Sequence, residues 1–180
     1  GSEAAFHDAL ADVARLEDIL VTESFESLLA QENRFCRRLM GDLNGRRVLD
    51  VGAGLGEASV YFALQGAQVT AVDLSPRTIQ RACQLAEAYG VTIAGVVCAA
   101  EQLEVEDESF DICFAAGLLH HVRDRAQVLK EMRRALRPGG LVVSWDPLVY
   151  NPLINVYRRM ATRVRSEREQ PFRFEFLREF

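Results

Sequence analysis

The sequence predicts a doubly wound α/β fold: a mostly parallel sheet with helices on both faces, preceded by a helical N-terminal extension. Three observations predict it. Short, almost wholly apolar segments such as Val48-Leu49 and Val142-Val143 alternate with stretches of helical length and period. Glycine or proline punctuates the changes, at Gly45, Gly66, Pro76, Gly90 and Pro138-Gly139-Gly140. Strands separated by such stretches need crossover connections, and these return each strand parallel to the last.

The elements follow in order. Leu10, Val13, Leu16, Ile19 and Leu20 recur at helical spacing, as do Phe25, Leu28, Leu29, Phe35, Leu39 and Leu43. Thr22–Ser24 is expected to separate these two helices, with Ser24 as the cap of the second and Asn44-Gly45 as its end. Arg47–Val51 reads as the first strand and Gly56–Gln65 as a helix closed by Gly66. Gln68–Asp73 is the second strand, and Ser75-Pro76 starts a helix that runs to Tyr89, with Ser75 as cap and Pro76 in the first turn. Val91–Cys98 and Ser109–Ala115 are the third and fourth strands. Arg125–Leu136 is a helix, Arg137-Pro138-Gly139-Gly140 a turn, and Leu141–Trp145 the fifth strand. Asn151–Arg165 has the apolar spacing of an amphipathic helix and carries Arg158, Arg159, Arg163 and Arg165. The organisation expected is a helical cap over residues 1–44, a core over 45–147 and a basic helix with a tail over 148–180.

The 180 residues suit one domain, and the formal charge of −5 argues against a nucleic-acid partner, which wants a basic face. Cys36, Cys83, Cys98 and Cys113 form no C-x-x-C pair and stand at no ligand spacing from a histidine, so no metal site is expected and a reduced, cytoplasmic setting fits. Cys98 and Cys113 read as small buried hydrophobes. The N-terminus lacks a signal-peptide layout, and no apolar run is long enough to span a bilayer. Nothing in the residues speaks to oligomeric state.

In a sheet of this kind ligands bind at the carboxyl ends of the strands. That directs attention to Asp50–Gly56, Asp73-Leu74, Ala99–Glu101 and Ala116–His121. Glycines at 52, 54 and 56 let the backbone take positive φ and let a ligand approach the main chain, and the following helix offers free N–H groups. Asp73, at the end of the next strand, can accept hydrogen bonds from ribose hydroxyls. A dinucleotide fingerprint, G-x-G-x-x-G/A, would place a small residue at 57, but Glu57 stands there and would face a pyrophosphate unfavourably.

The spacing G-x-G-x-G after Val48–Val51, with Asp73, resembles class I S-adenosylmethionine-dependent methyltransferases, in their small-molecule, quinone-biosynthesis-like branch. The resemblance runs from about Asn33 to about Pro147 and includes Ala100-Glu101-Gln102-Leu103, Ser109-Phe110-Asp111, Leu118-Leu119-His120-His121 and Leu136-Arg137-Pro138-Gly139-Gly140. It implies a Rossmann-like fold and S-adenosyl-L-methionine as cofactor, with S-adenosyl-L-homocysteine as product. It implies cofactor contacts from Asp50, Gly52, Ala53, Gly54 and Gly56 around the methionine and ribose, from Asp73 to the ribose, and from Leu74, Ala100 and Glu101 around the adenine. Ala116 would line the methionine end. The family's adenine-binding aspartate is Ala99 here, so that side-chain bond is missing. No catalytic residue is fixed by the motif; His121 is the candidate base, with a structural role for both histidines as the other reading. The G-x-S-x-G elbow of hydrolases is absent.

The reaction implied is in-line transfer of a methyl group to O, N, S or C of a small-molecule acceptor. Two other readings stay open on the sequence: a non-catalytic module that keeps the fold, and an NAD(P)-dependent oxidoreductase, which Glu57 opposes. In the family the sheet is completed by a closing hairpin, for which Pro171–Phe180 could supply at most one strand.

Overall fold

The computed structural model describes Asp8 and residues 15–146. The expected Asn151–Arg165 helix, the tail and most of the first N-terminal helix lie outside these residues. Among the described residues five parallel strands form one sheet in the order β3-β2-β1-β4-β5: β1 Arg47–Val51, β2 Gln68–Asp73, β3 Ala94–Val97, β4 Phe110–Ala116 and β5 Leu136–Trp145. The order reverses between β1 and β4, so the Rossmann-like switch point lies between their carboxyl ends. The helices are α1 Glu23–Glu26, α2 Gln31–Met40, α3 Glu57–Leu64, α4 Pro76–Ala88 and α5 Arg125–Ala135.

The strand period of two sorts the core into two layers. Val48, Ala71, Ile112, Phe114 and Val143 pack with residues of α1–α4, including Phe25, Met40, Phe62 and Leu85. Leu49, Val51, Val72, Cys113 and Ala115 pack on the other face with Val128, Met132 and Ala135 of α5 and with Cys98 and Leu103. Phe62 and Phe114 are fully buried and meet edge to face, with centroids 5.0 Å apart. Burying a side chain of this size contributes roughly 1.5–3 kcal/mol. Cys98 and Cys113 are buried free thiols, as expected; burial pushes the Cys113 thiol up to about 12.

Strands β1 and β2 and helix α4 fall where the sequence places them, Ser75 accepting from the Thr78 N–H at 3.0 Å as the cap of α4. Three expectations need correction. The continuous helix from Ser24 to Leu43 is broken. It begins at Glu23, stops at Ser27, whose ψ of 153° is extended, and resumes as α2, which ends at Met40 with Gly41 at φ +69°. The Ser24 hydroxyl donates back to the Leu20 carbonyl at 2.6 Å and caps nothing. Leu28 and Leu29, in the break, are 80% and 91% exposed. Strand β3 starts at Ala94 and not at Val91, because the Val91 N–H is used by the Ala86 carbonyl at 3.0 Å to close α4. Helix α5 stops at Ala135, and Leu136 already pairs with Phe110. The next pair is Ile112 with Leu141, so the expected Arg137–Gly140 turn is a bulge inside β5.

Candidate functional site

Where β1 ends, Gly52, Gly54 and Gly56 take φ of +74°, +56° and +90°. The three glycines serve different purposes. Gly52 and Ala53 donate their N–H groups to the Val72 carbonyl at 2.8 and 2.9 Å, which ties the turn to the end of β2. A Cβ on Gly52 would come 2.9 Å from Leu118 Cδ1. A Cβ on Gly56 would lie 2.6 Å from Ala82 Cβ, so this glycine lets α3 and α4 pack closely. A Cβ on Gly54 meets nothing within 4 Å, so the turn presents bare backbone to open space there.

Asp73 ends β2 and is 8% exposed. Its Oδ2 accepts from the Gly54 N–H at 3.1 Å and its Oδ1 from the Ser75 N–H at 2.9 Å. Both oxygens keep a further lone pair. Asp50, 2% exposed, accepts from the Ser59 hydroxyl at 2.6 Å. Burial pushes its carboxyl up to about 7; the Ser59 bond lowers it, and the negative charges of Glu57 and Asp73 raise it further. Burial also raises the Glu57 carboxyl.

Two cavities meet at Gly52. The first, about 190 Å³, is lined by Gly52, Asp73, Leu74, Ala99, Ala100, Glu101, Leu118, His121 and Arg123 among others. The second, about 270 Å³, is lined by Ser24, Phe25, Asn33, Asp50, Gly52, Ala53, Gly54, Glu57, Ala58, Phe114, Ala116 and Trp145. Of the residues expected from the sequence, Asp73, Leu74, Ala100 and Glu101 therefore share one chamber. Asp50, Ala53, Gly54 and Ala116 share the other, and Gly52 bridges them. Gly56 stands behind the turn. His121 lies in the first chamber, with Asp73 and Ala100, and not in the second.

His120 is 7% exposed and points elsewhere. Its Nδ1 lies 2.8 Å from Asp146 Oδ1, which also accepts the His120 N–H at 3.0 Å. The pair pins the loop after β4 to the end of β5. Sequence reasoning missed Asp146, Asn33, Ser24 and Trp145. Trp145 Nε1 donates to Asn33 Oδ1 at 3.0 Å, and Asn33 Nδ2 donates to the Ser24 carbonyl at 2.7 Å. This chain of bonds holds the α1–α2 segment over the second chamber. Trp145 ends β5, so the rule that sites lie at carboxyl strand ends was the available signal. Among the described residues no group of histidine, cysteine or carboxylate side chains could hold a metal ion, and no helix is long and apolar enough to cross a membrane.

A five-stranded parallel sheet, with a glycine turn at its switch point and an acidic end on the neighbouring strand, is an arrangement of the Rossmann-like class. Residues 49–144 match the model of the methyltransferase domain family, and the chain belongs to that family. It is 36% identical over 130 residues to a ubiquinone biosynthesis O-methyltransferase of Methylocella silvestris, covering 72% of this chain and 49% of that protein. It is 35% identical over 122 residues to the 27-O-demethylrifamycin SV methyltransferase of Amycolatopsis mediterranei, covering 64% and 45%. The chain spans about half the length of the curated relatives it matches. Among solved structures, the YcgJ protein of Bacillus subtilis shares the fold with a TM-score of 0.69 at 23% identity, over 81% of this chain and 64% of that one. An S-adenosylmethionine-dependent methyltransferase of Mesorhizobium loti aligns with a TM-score of 0.58 at 28% identity, over 65% and 54%.

Proposed function

We propose that this chain binds S-adenosyl-L-methionine across the two chambers and transfers its methyl group to a small-molecule acceptor, leaving S-adenosyl-L-homocysteine. The observation that carries the reading is the Asp73 carboxylate, fixed by the Gly54 and Ser75 N–H groups, with lone pairs left in the first chamber for a ribose diol. Gly54 supports the same fit, because its bare backbone borders open space where a side chain would stand in the ligand's way. Leu74 and the Ala100 backbone border the adenine side, with Glu101 at its edge. Asp50, Ala53 and Ala116 border the methionine side.

When bound, the cofactor supplies a methyl group already activated by the positive charge on sulfur. The chain's own residues have to bind, orient and exclude water, which are proximity effects. Trp145, Asn33 and Phe25 cover the second chamber and perform the last of these. The relatives named as O-methyltransferases support oxygen as the atom methylated. N, S and C acceptors follow the same chemistry, and a base is needed only where the nucleophile must lose a proton. His121, placed beside Asp73, is assigned to the cofactor side and not to that proton.

Thermal-shift measurement with S-adenosylmethionine, S-adenosylhomocysteine and NAD(P) tests the reading, since a ligand stabilises the fold it binds. Stabilisation by the first two is expected. A shift with NAD(P) alone overturns the proposal.

A further inference from the structure

Glu57 excludes a pyrophosphate by its charge, and the same charge has a positive use. It is the first residue of α3, set at the edge of the second chamber by Gly56, whose φ of +90° turns the chain into the helix. Asp50 lines the same chamber. Among the described residues, that lining includes two carboxylates and no lysine or arginine. The side-chain partner of Asp50 is the neutral Ser59 hydroxyl, which donates one hydrogen bond and cancels no charge. Phe25, Ala58, Phe114 and Trp145 make up much of the remaining wall. Such a wall keeps the local dielectric low and makes each charge count for more than it does in water. Two carboxylates in this setting resist being ionised together until a cation joins them.

Building on the cofactor assignment above, we infer that Glu57 is a specificity-determining residue. With Asp50 it makes the second chamber select a ligand with extra positive charge, so the sulfonium donor is held in preference to the neutral thioether that remains after transfer. The charge that disappears from the ligand in the reaction is the charge the chamber recognises. Product is thereby held less firmly than donor. A carboxylate in the first turn of a helix also stabilises the helix through its dipole, with no ligand involved. That role affects the fold and treats all ligands alike, which separates it from charge selection.

The test is isothermal titration calorimetry at pH 8 with three probes: S-adenosylmethionine, S-adenosylhomocysteine, and sinefungin, in which an amine supplies the charge. Wild type is compared with Glu57→Gln, and with Glu57→Ser should the first variant fold poorly. Loss of the charge is expected to weaken S-adenosylmethionine and sinefungin roughly tenfold and S-adenosylhomocysteine less than about twofold. Glu57→Asp, which keeps the charge, should retain most of the preference. A variant that weakens all three probes equally, or none of them, overturns the inference while leaving the cofactor assignment in place. If wild type binds none of the three, the cofactor assignment itself fails and the selectivity falls with it.

Discussion

The backbone N–H of Gly54 donates to Oδ2 of Asp73 at 3.1 Å, joining the glycine turn after β1 to the acidic end of β2. These residues are 19 apart in sequence, and this bond makes them one structural unit. The turn cannot shift without moving the carboxylate, and both border the chambers that meet at Gly52. The acid therefore fixes the loop as well as presenting its remaining lone pairs to a ligand.

Replacing Asp73 tests that double role. Asp73→Ala removes the acceptor for the ribose hydroxyls and the anchor of the turn. Cofactor affinity is expected to fall by about 2–4 kcal/mol, the range for charge-assisted hydrogen bonds lost as a pair. Calorimetric titration with S-adenosylhomocysteine reads this directly. Unchanged affinity removes Asp73 from the site.

The glycines at 54 and 56 should fail differently. Gly54→Ala adds a Cβ in open space, so the variant should fold, losing roughly 1–2 kcal/mol to its positive φ. Its cofactor affinity should drop by tenfold or more, because the added methyl occupies the space that bare backbone left free (about 1.4 kcal/mol per decade). Gly56→Ala drives a Cβ to 2.9 Å from the Ala82 Cα, a backbone atom that a side-chain rotation cannot clear. Overpacking adds roughly 1–3 kcal/mol to the same backbone strain. Urea unfolding should therefore separate Gly56→Ala as a stability variant from Gly54→Ala as a binding variant. Equal unfolding midpoints would contradict the packing role given to Gly56.

How much of this was legible follows the range of the interactions. β1 and β2 read correctly because both faces are covered and the strands are near-continuous apolar runs; the glycine turn and Asp73 sit at fixed offsets from them. The N-terminal helices read poorly because Leu28 and Leu29 repeat with helical spacing yet face solvent in a break, and periodicity alone does not show which apolar residues find a partner. The start of β3 was lost to a helix cap and the start of β5 to a bulge, both decided by which carbonyl takes one N–H. An N-terminal cap was expected, but the bond that fastens it over the second chamber was invisible, since Asn33 and Trp145 meet across 112 residues. The His120–Asp146 bond spans 26 residues in the same way.

Asp50 predicts a pH dependence. Burial disfavours its charged form and pushes its carboxyl up to about 7 in the folded chain, from an ordinary value of 3.8. The folded state then binds a proton that the unfolded state has released between these values, so this group's contribution is fully present below about pH 4 and lost as pH rises through 7. The ligand-free protein should lose on the order of a few kcal/mol over that window from this residue, and Asp50→Asn should flatten the profile. A cationic ligand has the opposite preference. S-adenosylmethionine affinity should rise with pH up to about 7, with proton release detectable as a buffer-dependent calorimetric heat at pH 6. Heats that do not depend on the buffer at that pH would mean that Asp50 is already ionised in the empty site.

Trp145 is the one tryptophan in the sequence, and it lines the second chamber with its indole N–H bonded to Asn33. Its fluorescence therefore reports on that chamber without a label. Binding of S-adenosylmethionine should change its emission, because the ligand replaces water beside a half-buried ring. Asn33→Ala leaves the indole N–H without its acceptor and releases the α1–α2 segment from the end of β5. Emission of the ligand-free variant should move to longer wavelength as water reaches the ring. The lost bond should cost about 0.5–1.5 kcal/mol of stability by denaturant titration, with a further cost if the N–H stays buried. If the variant keeps wild-type emission and its ligand response, the Asn33–Trp145 bond does not hold the cover, and exclusion of water from the methionine side must rest on Phe25 and Phe114.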